Sequence, residues 1–415
     1  VPTAPTALLL NEKLLQSKKP APASTSQVAA RYQRVALPVR QAGDLNGVEA
    51  LIRAMLKKHR TPLMIVRKDQ LIRQYRRFRR ALPQVTPFYA IKANPHPKII
   101  KTFIRQGSGF DVASAAEMRL VLSLGARPEK IIFANTIKSV EDIIAARRCR
   151  VRMMTYDNEP ELYKISEHYP GAEVLLRIKV DNDRSVVNLS LKFGADPDMA
   201  FPMIRKSKSL RLMPVGVSFH AGSQSKNVEN YLQALEITSH IFNEAKGNGI
   251  PLKIVDIGGG FPIPHFDGEI GVNFERMASG IHKQMKQLFD RKVSFIAEPG
   301  RFFVGPAGIL VTQVVGRTFR NNKNYYYLND GVYQDFSGIV FDHCKYEFKT
   351  LRRGQRFLSA LAGPTCDSFD TLSFDTEIPE LYVNDVVYVK NIGAYSSASA
   401  VPNFNGFPPA KIIFA

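Results

Sequence analysis

Eight short runs of β-branched and aromatic residues, each closing on a polar residue or a glycine and each followed by a stretch of helical period, dominate residues 86–301. They are TPFYAIK (86–92), GFDVAS (109–114), KIIFAN (130–135), VRMMTYD (151–157), EVLLRIK (173–179), LMPVGVSFH (212–220), LKIVDIGGG (252–260) and VSFIAEPGR (293–301). Strands that alternate with helices build parallel sheets, because the crossovers cover both strand faces. Eight such units predict a closed (β/α)8 barrel in the α/β class, with a doubly wound open sheet as the alternative. The polar residues separate the two. Lys92, Asp111, Asn135, Arg177, His220, Gly258, Gly259, Gly260, Glu298 and Arg301 all lie at the C-terminal ends of the runs. A barrel gathers those ends around one mouth.

After Gly305 the pattern changes to strands without long helices: GILVTQVVGRTF, NYYYLND, RFLSALAG, DVVYVKNIG and AKIIFA. These predict a C-terminal all-β domain, to which the strand-like RYQRVALPVR before the barrel is expected to add. The expected partition is a flexible N-terminal arm at 1–30, a segment at 31–60 contributing to the β domain, the barrel at 61–305 and the β domain at 306–415. The arm rests on composition: its Pro, Ala, Ser and Thr residues form no periodic apolar face.

No apolar run approaches the roughly 18 residues of a membrane span, so no membrane association is expected. Cys149, Cys344 and Cys366 stand far apart with no CxxC spacing, which points away from a zinc knuckle or a disulfide framework. A reducing, cytoplasmic setting is the expectation. Because the sequence starts at Val1, an organellar targeting segment stays open. The net charge of +20 peaks in RQYRRFRR, where Tyr75 and Phe78 are spaced three apart among five arginines. That spacing predicts a helix with the aromatics inward and the arginines solvated, so no nucleic-acid partner is expected.

Within the runs, PFYAIKANP ends an apolar strand on Lys92, where low dielectric is expected to depress the amine pKa as Schiff-base chemistry needs. Alone, such a lysine reads as a strand end reaching into water. DIGGGFP lets backbone N–H groups approach an anion, AEPGRFF adds an acid for a ring nitrogen and an arginine for phosphate, and SFHAGSQ adds His220 and Ser223. Together these describe a planar, phosphorylated, nitrogen-containing aldehyde held by lysine. The acids and histidines lack metal-ligand spacing, so no metal is expected.

The ordered series FYAIKAN, GFDVAS, FHAGS, DIGGGFP, EPGRFF, NDGVY, FDH, CDSFD and FNGF closely resembles the fold-type III pyridoxal phosphate decarboxylases. That group contains eukaryotic-type ornithine decarboxylase and diaminopimelate decarboxylase. By that resemblance, pyridoxal 5'-phosphate would be bound covalently to Lys92, with His220 stacked on its ring and Glu298 on the ring nitrogen. Gly260, Arg301, Ser223 and Tyr395 of GAYSSAS would bind the phosphate, with Gly258, Gly259 and Gly300 beside them. Asp111 and Arg177 would line the same mouth. The resemblance further implies a homodimer with shared active sites, in which Cys366 of one chain protonates the carbanion made in the other. Lys192 and Asp370 would bridge the chains.

The same resemblance places Asp342 of FDH and Asp367 of CDSFD on the distal ammonium of a basic amino acid, with Phe404 of FNGF in the substrate set. L-Ornithine, giving putrescine for polyamine biosynthesis, is the expected substrate, with L-lysine, giving cadaverine, beside it. One methylene separates the two, worth only about 1–3 kcal/mol in a pocket. Gln224 and Phe341 depart from the animal ornithine enzymes and are expected to touch specificity. Meso-diaminopimelate, carboxynorspermidine or another specialised amine-bearing amino acid are alternatives, as are a non-catalytic regulatory homologue and an amino-acid racemase.

Overall fold

The computed structural model describes residues 36–37, 47–180, 192–264, 269 and 273–415, so the expected arm at 1–30 lies outside the described residues. Two short strands come first, β1 (Ala36–Leu37) and β2 (Leu63–Val66). The eight runs then appear as β3 (Val85–Ala90), β4 (Gly109–Val112), β5 (Ile131–Phe133), β6 (Met153–Tyr156), β7 (Glu173–Arg177), β8 (Met213–Ser218), β9 (Ile254–Asp256) and β10 (Ser294–Ala297). All pair in parallel, each with the next, and β10 closes on β3. The sheet is therefore a barrel, not an open doubly wound sheet.

The helices between strands start where the sequence offers caps. After β4, the Ser114 hydroxyl accepts from Glu117 N at 3.2 Å, while the Glu117 carboxylate accepts from Ala113 N at 2.7 Å. This reciprocal cap fixes where the strand stops and so where Asp111 is presented. The helix Lys68–Ala81 buries Leu71, Gln74, Tyr75 and Phe78. Phe78 meets the rings of Phe302 and Phe303 at 6.0 and 5.7 Å, and Gln74 Nε2 donates to Phe302 O at 2.9 Å. Its arginines face outward, as the spacing predicts. Arg77 reaches Glu275 through two N–H groups at 2.7 and 2.9 Å.

The second body is a mixed sheet built from β11 (Gly308–Arg320), β12 (Lys323–Leu328), β13 (Lys349–Thr350), β14 (Arg356–Ala362), β15 (Thr371–Pro379), β16 (Val386–Lys390) and β17 (Lys411–Phe414). Ala36–Leu37 pairs antiparallel with β14, so part of the N-terminal segment does join this sheet. The strand β2 differs from the expected partition. It lies within 61–305, yet it pairs with β11 and β17 and with no barrel strand. Its four residues are all buried, and a strand hidden on both faces carries no local mark of which sheet it serves. The chain crosses into the barrel at the helix Lys68–Ala81.

Candidate active site

The strand ends meet around a cavity of about 470 Å³ whose lining includes Lys92, Arg177, His220, Ser223, Gly259, Gly260, Glu298, Gly300, Arg301 and Tyr395. Asn135, Lys192, Phe193, Gln224, Phe341 and Asp342 are among its other lining residues. A larger opening, about 760 Å³, runs along Asp69, Ile72, Arg73, Arg76, Arg79 and Arg80. Its lining is one charged helix face and brings no acid–base or nucleophilic groups together, so the chemistry belongs to the smaller cavity.

Lys92 sits in the turn that follows β3, and its Nζ is 2.7 Å from Asp111 Oδ2. The side chain is 45 % exposed because it projects into the cavity, while Asp111 is buried. Burial disfavours the ammonium, but Asp111 and then Glu298 outweigh it, so the Lys92 pKa lies above that of an ordinary lysine. The expectation of a depressed amine is thus overturned: the strand end is apolar, but the mouth is ringed with acids.

Glu298, one residue beyond β10, is pushed well above the usual carboxyl range by burial, by Asp256 and by Asp111. Asp256, at the end of β9, is raised to about 6 by burial, even though its Oδ1 accepts from Gly258 N at 2.9 Å. Two acids this close cannot both ionise cheaply, and the pair holds a proton near neutrality. His220 is driven the other way, well below the usual imidazole pKa, by burial and by the charges of Arg177 and Lys92. Its Nδ1 accepts from Gly222 N at 3.0 Å, so the ring is neutral.

The anion-binding side is built from tight turns. Gly258 and Gly260 hold φ of +65° and +90°, and a Cβ on either would strike the backbone of the loop after β8. Arg301 is 6 % exposed, its guanidinium lies 4.8 Å over the Tyr395 ring, and its Nη1 is 3.5 Å from Cys344 Sγ. Its Nη2 meets the Asp342 carboxylate, so an acid assigned to substrate and an arginine assigned to phosphate form one ion pair. Tyr395 is fixed from the β sheet, its N donating to Ala93 O at 2.9 Å beside Lys92.

The residues of CDSFD and FNGF are not brought to this mouth within one chain. Cys366 is exposed, with its Sγ 3.4 Å from Asn405 Oδ1. Asp367 accepts from the Tyr333 hydroxyl, and the Tyr333 ring stacks on Phe404 at 4.1 Å. Together they form a separate surface cluster. Asp370 is 2 % exposed and accepts from Val332 N at 2.8 Å, Thr365 N at 3.1 Å and Thr365 Oγ1 at 2.8 Å. Within the protomer it anchors the turn that presents Cys366. Lys192 is exposed at the cavity rim, 4.9 Å over Phe193.

Sequence reasoning assigned no role to Asp256, Cys344 or Tyr333. Asp256 did carry a signal, as an acid closing an apolar strand two residues before a glycine triplet.

Residues 68–305 match the family model described as pyridoxal-dependent decarboxylase, pyridoxal binding domain. The chain belongs to the pyridoxal-dependent decarboxylases. Among curated members of that family, the lysine/ornithine decarboxylase of Selenomonas ruminantium is 38 % identical over 365 residues, covering 88 % of this chain and 92 % of the relative. The ornithine decarboxylase of Schizosaccharomyces pombe is 38 % identical over 356 residues, covering 82 % and 80 %. A solved structure of SrLDC in complex with PLP and cadaverine superposes with a TM-score of 0.83 at 36 % identity, covering 92 % of this chain and 95 % of that one. The decarboxylase barrel is accordingly the pyridoxal-binding body, and the β sheet lends it Tyr395 and Asp342.

Proposed function

We propose that the chain decarboxylates a basic L-amino acid, L-ornithine foremost and L-lysine beside it, with pyridoxal phosphate held on Lys92 in a homodimer whose two sites each draw on both chains. The observation that carries this reading is the donor set around one mouth: an amine, a neutral imidazole, a proton-sharing acid pair and a buried arginine. That set fits the cofactor. Arg301 Nε is buried with no hydrogen-bond partner among the described residues, and burial and Asp256 push Glu298 well above the usual carboxyl range, so a basic ring nitrogen beside it would supply the missing positive charge. When bound, the cofactor would supply a conjugated ring able to take up the electron pair left on the α-carbon as CO2 departs.

The rest falls to this chain's own residues. Asp111 accepts from Lys92 Nζ and is the nearest base for the proton that the amine must shed before it attacks an aldehyde. Glu298, with Asp256 behind it, fixes the ring nitrogen, and the neutral face of His220 offers a flat surface without adding charge. Arg301, Ser223, the Gly260 backbone and Tyr395 hold the phosphate, with Gly258, Gly259 and Gly300 giving the close approach. Asp342 takes the distal ammonium, exchanging Arg301 for it. Cys366, Asp367 and Phe404 enter from the partner chain, Cys366 Sγ delivering a proton to the α-carbon. Lys192, exposed at the rim, meets that partner, and Asp370 acts by holding the Cys366 turn.

The test is CO2 release from L-ornithine, L-lysine, L-arginine and meso-diaminopimelate. Turnover of ornithine and lysine is expected. Turnover of diaminopimelate alone would take the distal amine away from Asp342, and D-amino acid without CO2 would make the protein a racemase.

A further inference from the structure

Gln224, in the turn after β8, is 3 % exposed, lines the cavity, and makes a paired contact with a residue of the next loop. Its Nε2 donates to Ile263 O at 3.0 Å, and Ile263 N donates to its Oε1 at 2.9 Å. A primary amide offers a donor and an acceptor side by side in this way where an ionised carboxylate offers only acceptors, and asparagine is a methylene shorter. The same two loops are joined by Ser225 N donating to Gly260 O at 2.9 Å and by the Tyr231 hydroxyl donating to Gly259 O at 2.8 Å. Gln224 holds this position at a φ of +52°, a left-handed backbone that a side chain keeps only when its surroundings fix it.

These bonds make the 220–225 turn and the 258–263 turn one unit. Ser223 from the first and Gly260 from the second stand in the wall of the same cavity. The unit is braced from outside as well, since Asn391 Nδ2, beyond β16, donates to Pro264 O at 3.0 Å.

Resting on the cofactor reading above, we propose that Gln224 is a positioning residue for the phosphate cradle. Its amide sets the spacing between Ser223 and Gly260 and acts on the anion through that spacing, not on the side chain of the substrate. The expectation that Gln224 tunes specificity is replaced by this role. The buried pair of hydrogen bonds to Ile263 gives the amide a partner that no substrate has to supply.

The experiment titrates pyridoxal phosphate, and separately pyridoxal, into cofactor-free protein, following absorbance of the lysine-bound aldehyde. The parent, Gln224→Met and Gln224→Glu are compared after thermal melting has established that each is folded. Loss of two hydrogen bonds in Gln224→Met is expected to weaken pyridoxal phosphate roughly tenfold. Pyridoxal, which lacks the phosphate, is expected to bind all three alike. The ratio of kcat/KM for ornithine over lysine, measured at saturating cofactor, is expected to stay at the parent's value. In Gln224→Glu, phosphate-dependent affinity should recover as the pH is lowered toward about 5, because a protonated carboxyl again offers a donor beside an acceptor. That recovery decides the matter even where Gln224→Met does not fold. Equal weakening of pyridoxal and its phosphate, no recovery at low pH, or a shifted ornithine-to-lysine ratio with unchanged cofactor affinity would each overturn the proposal. A parent protein that binds no pyridoxal phosphate overturns the functional reading itself, a separate outcome.

Discussion

Asp256, like the residues assigned to the site, is polar at the end of an apolar run. Lys92, His220, Glu298 and Arg301 could be picked out because each is polar at the end of an apolar run. The direction in which each titrates could not, since Asp111, 19 residues from Lys92, raises that amine's pKa, and burial with acids from two other strands, Asp256 and Asp111, raises that of Glu298. The Asp256 carboxyl illustrates the consequence. Folding raises it from an ordinary value near 4 to about 6, so the folded state binds more protons than the unfolded one between those values. Its contribution is harmless at low pH, turns unfavourable as pH rises through that window, and is at its worst above it. Asparagine keeps the acceptor for Gly258 N without the charge. Cofactor-free Asp256→Asn is therefore expected to melt higher than the parent at about pH 8 and level with it at about pH 4. An equal difference at both would mean that the carboxyl is not the titrating group.

At the scale of elements, the eight barrel strands were legible because each buried run ends in polar residues that water or a ligand must satisfy. The β sheet was legible only as a set of strands. Its order joins β2 to β11 and β17, and β12 to β14 in parallel, and pairings so distant leave no local trace. For the same reason the seam between the bodies, expected at residue 61, falls after β2. The contact that positions Arg301 is likewise long-range: Phe302 packs at 4.3 Å from Phe274 and 6.0 Å from Phe78, two helices far apart in the chain. Phe302→Ala opens a cavity there and is expected to cost about 3–5 kcal/mol in urea unfolding. Because Arg301 precedes it directly, cofactor affinity should fall as well. A stability loss with unchanged affinity would separate the aromatic cluster from the phosphate subsite.

For the whole molecule, one division matters most. The barrel mouth holds Lys92 and its acids, while Cys366, Asp367 and Phe404 lie in a distinct surface cluster, and the two-fold assembly proposed above would unite them. The same division explains why CDSFD reads as an isolated turn in one chain. The most direct measurement is CO2 release from L-ornithine by Lys92→Ala, by Cys366→Ala and by the two mixed after dissociation and reassociation. Lys92→Ala is expected to be inactive and Cys366→Ala slow. Half of the mixed dimers would carry one intact site of two, so the mixture should regain roughly a quarter of the parent activity. A Lys92→Ala protein that still releases CO2, or a mixture no more active than its parts, would contradict the account.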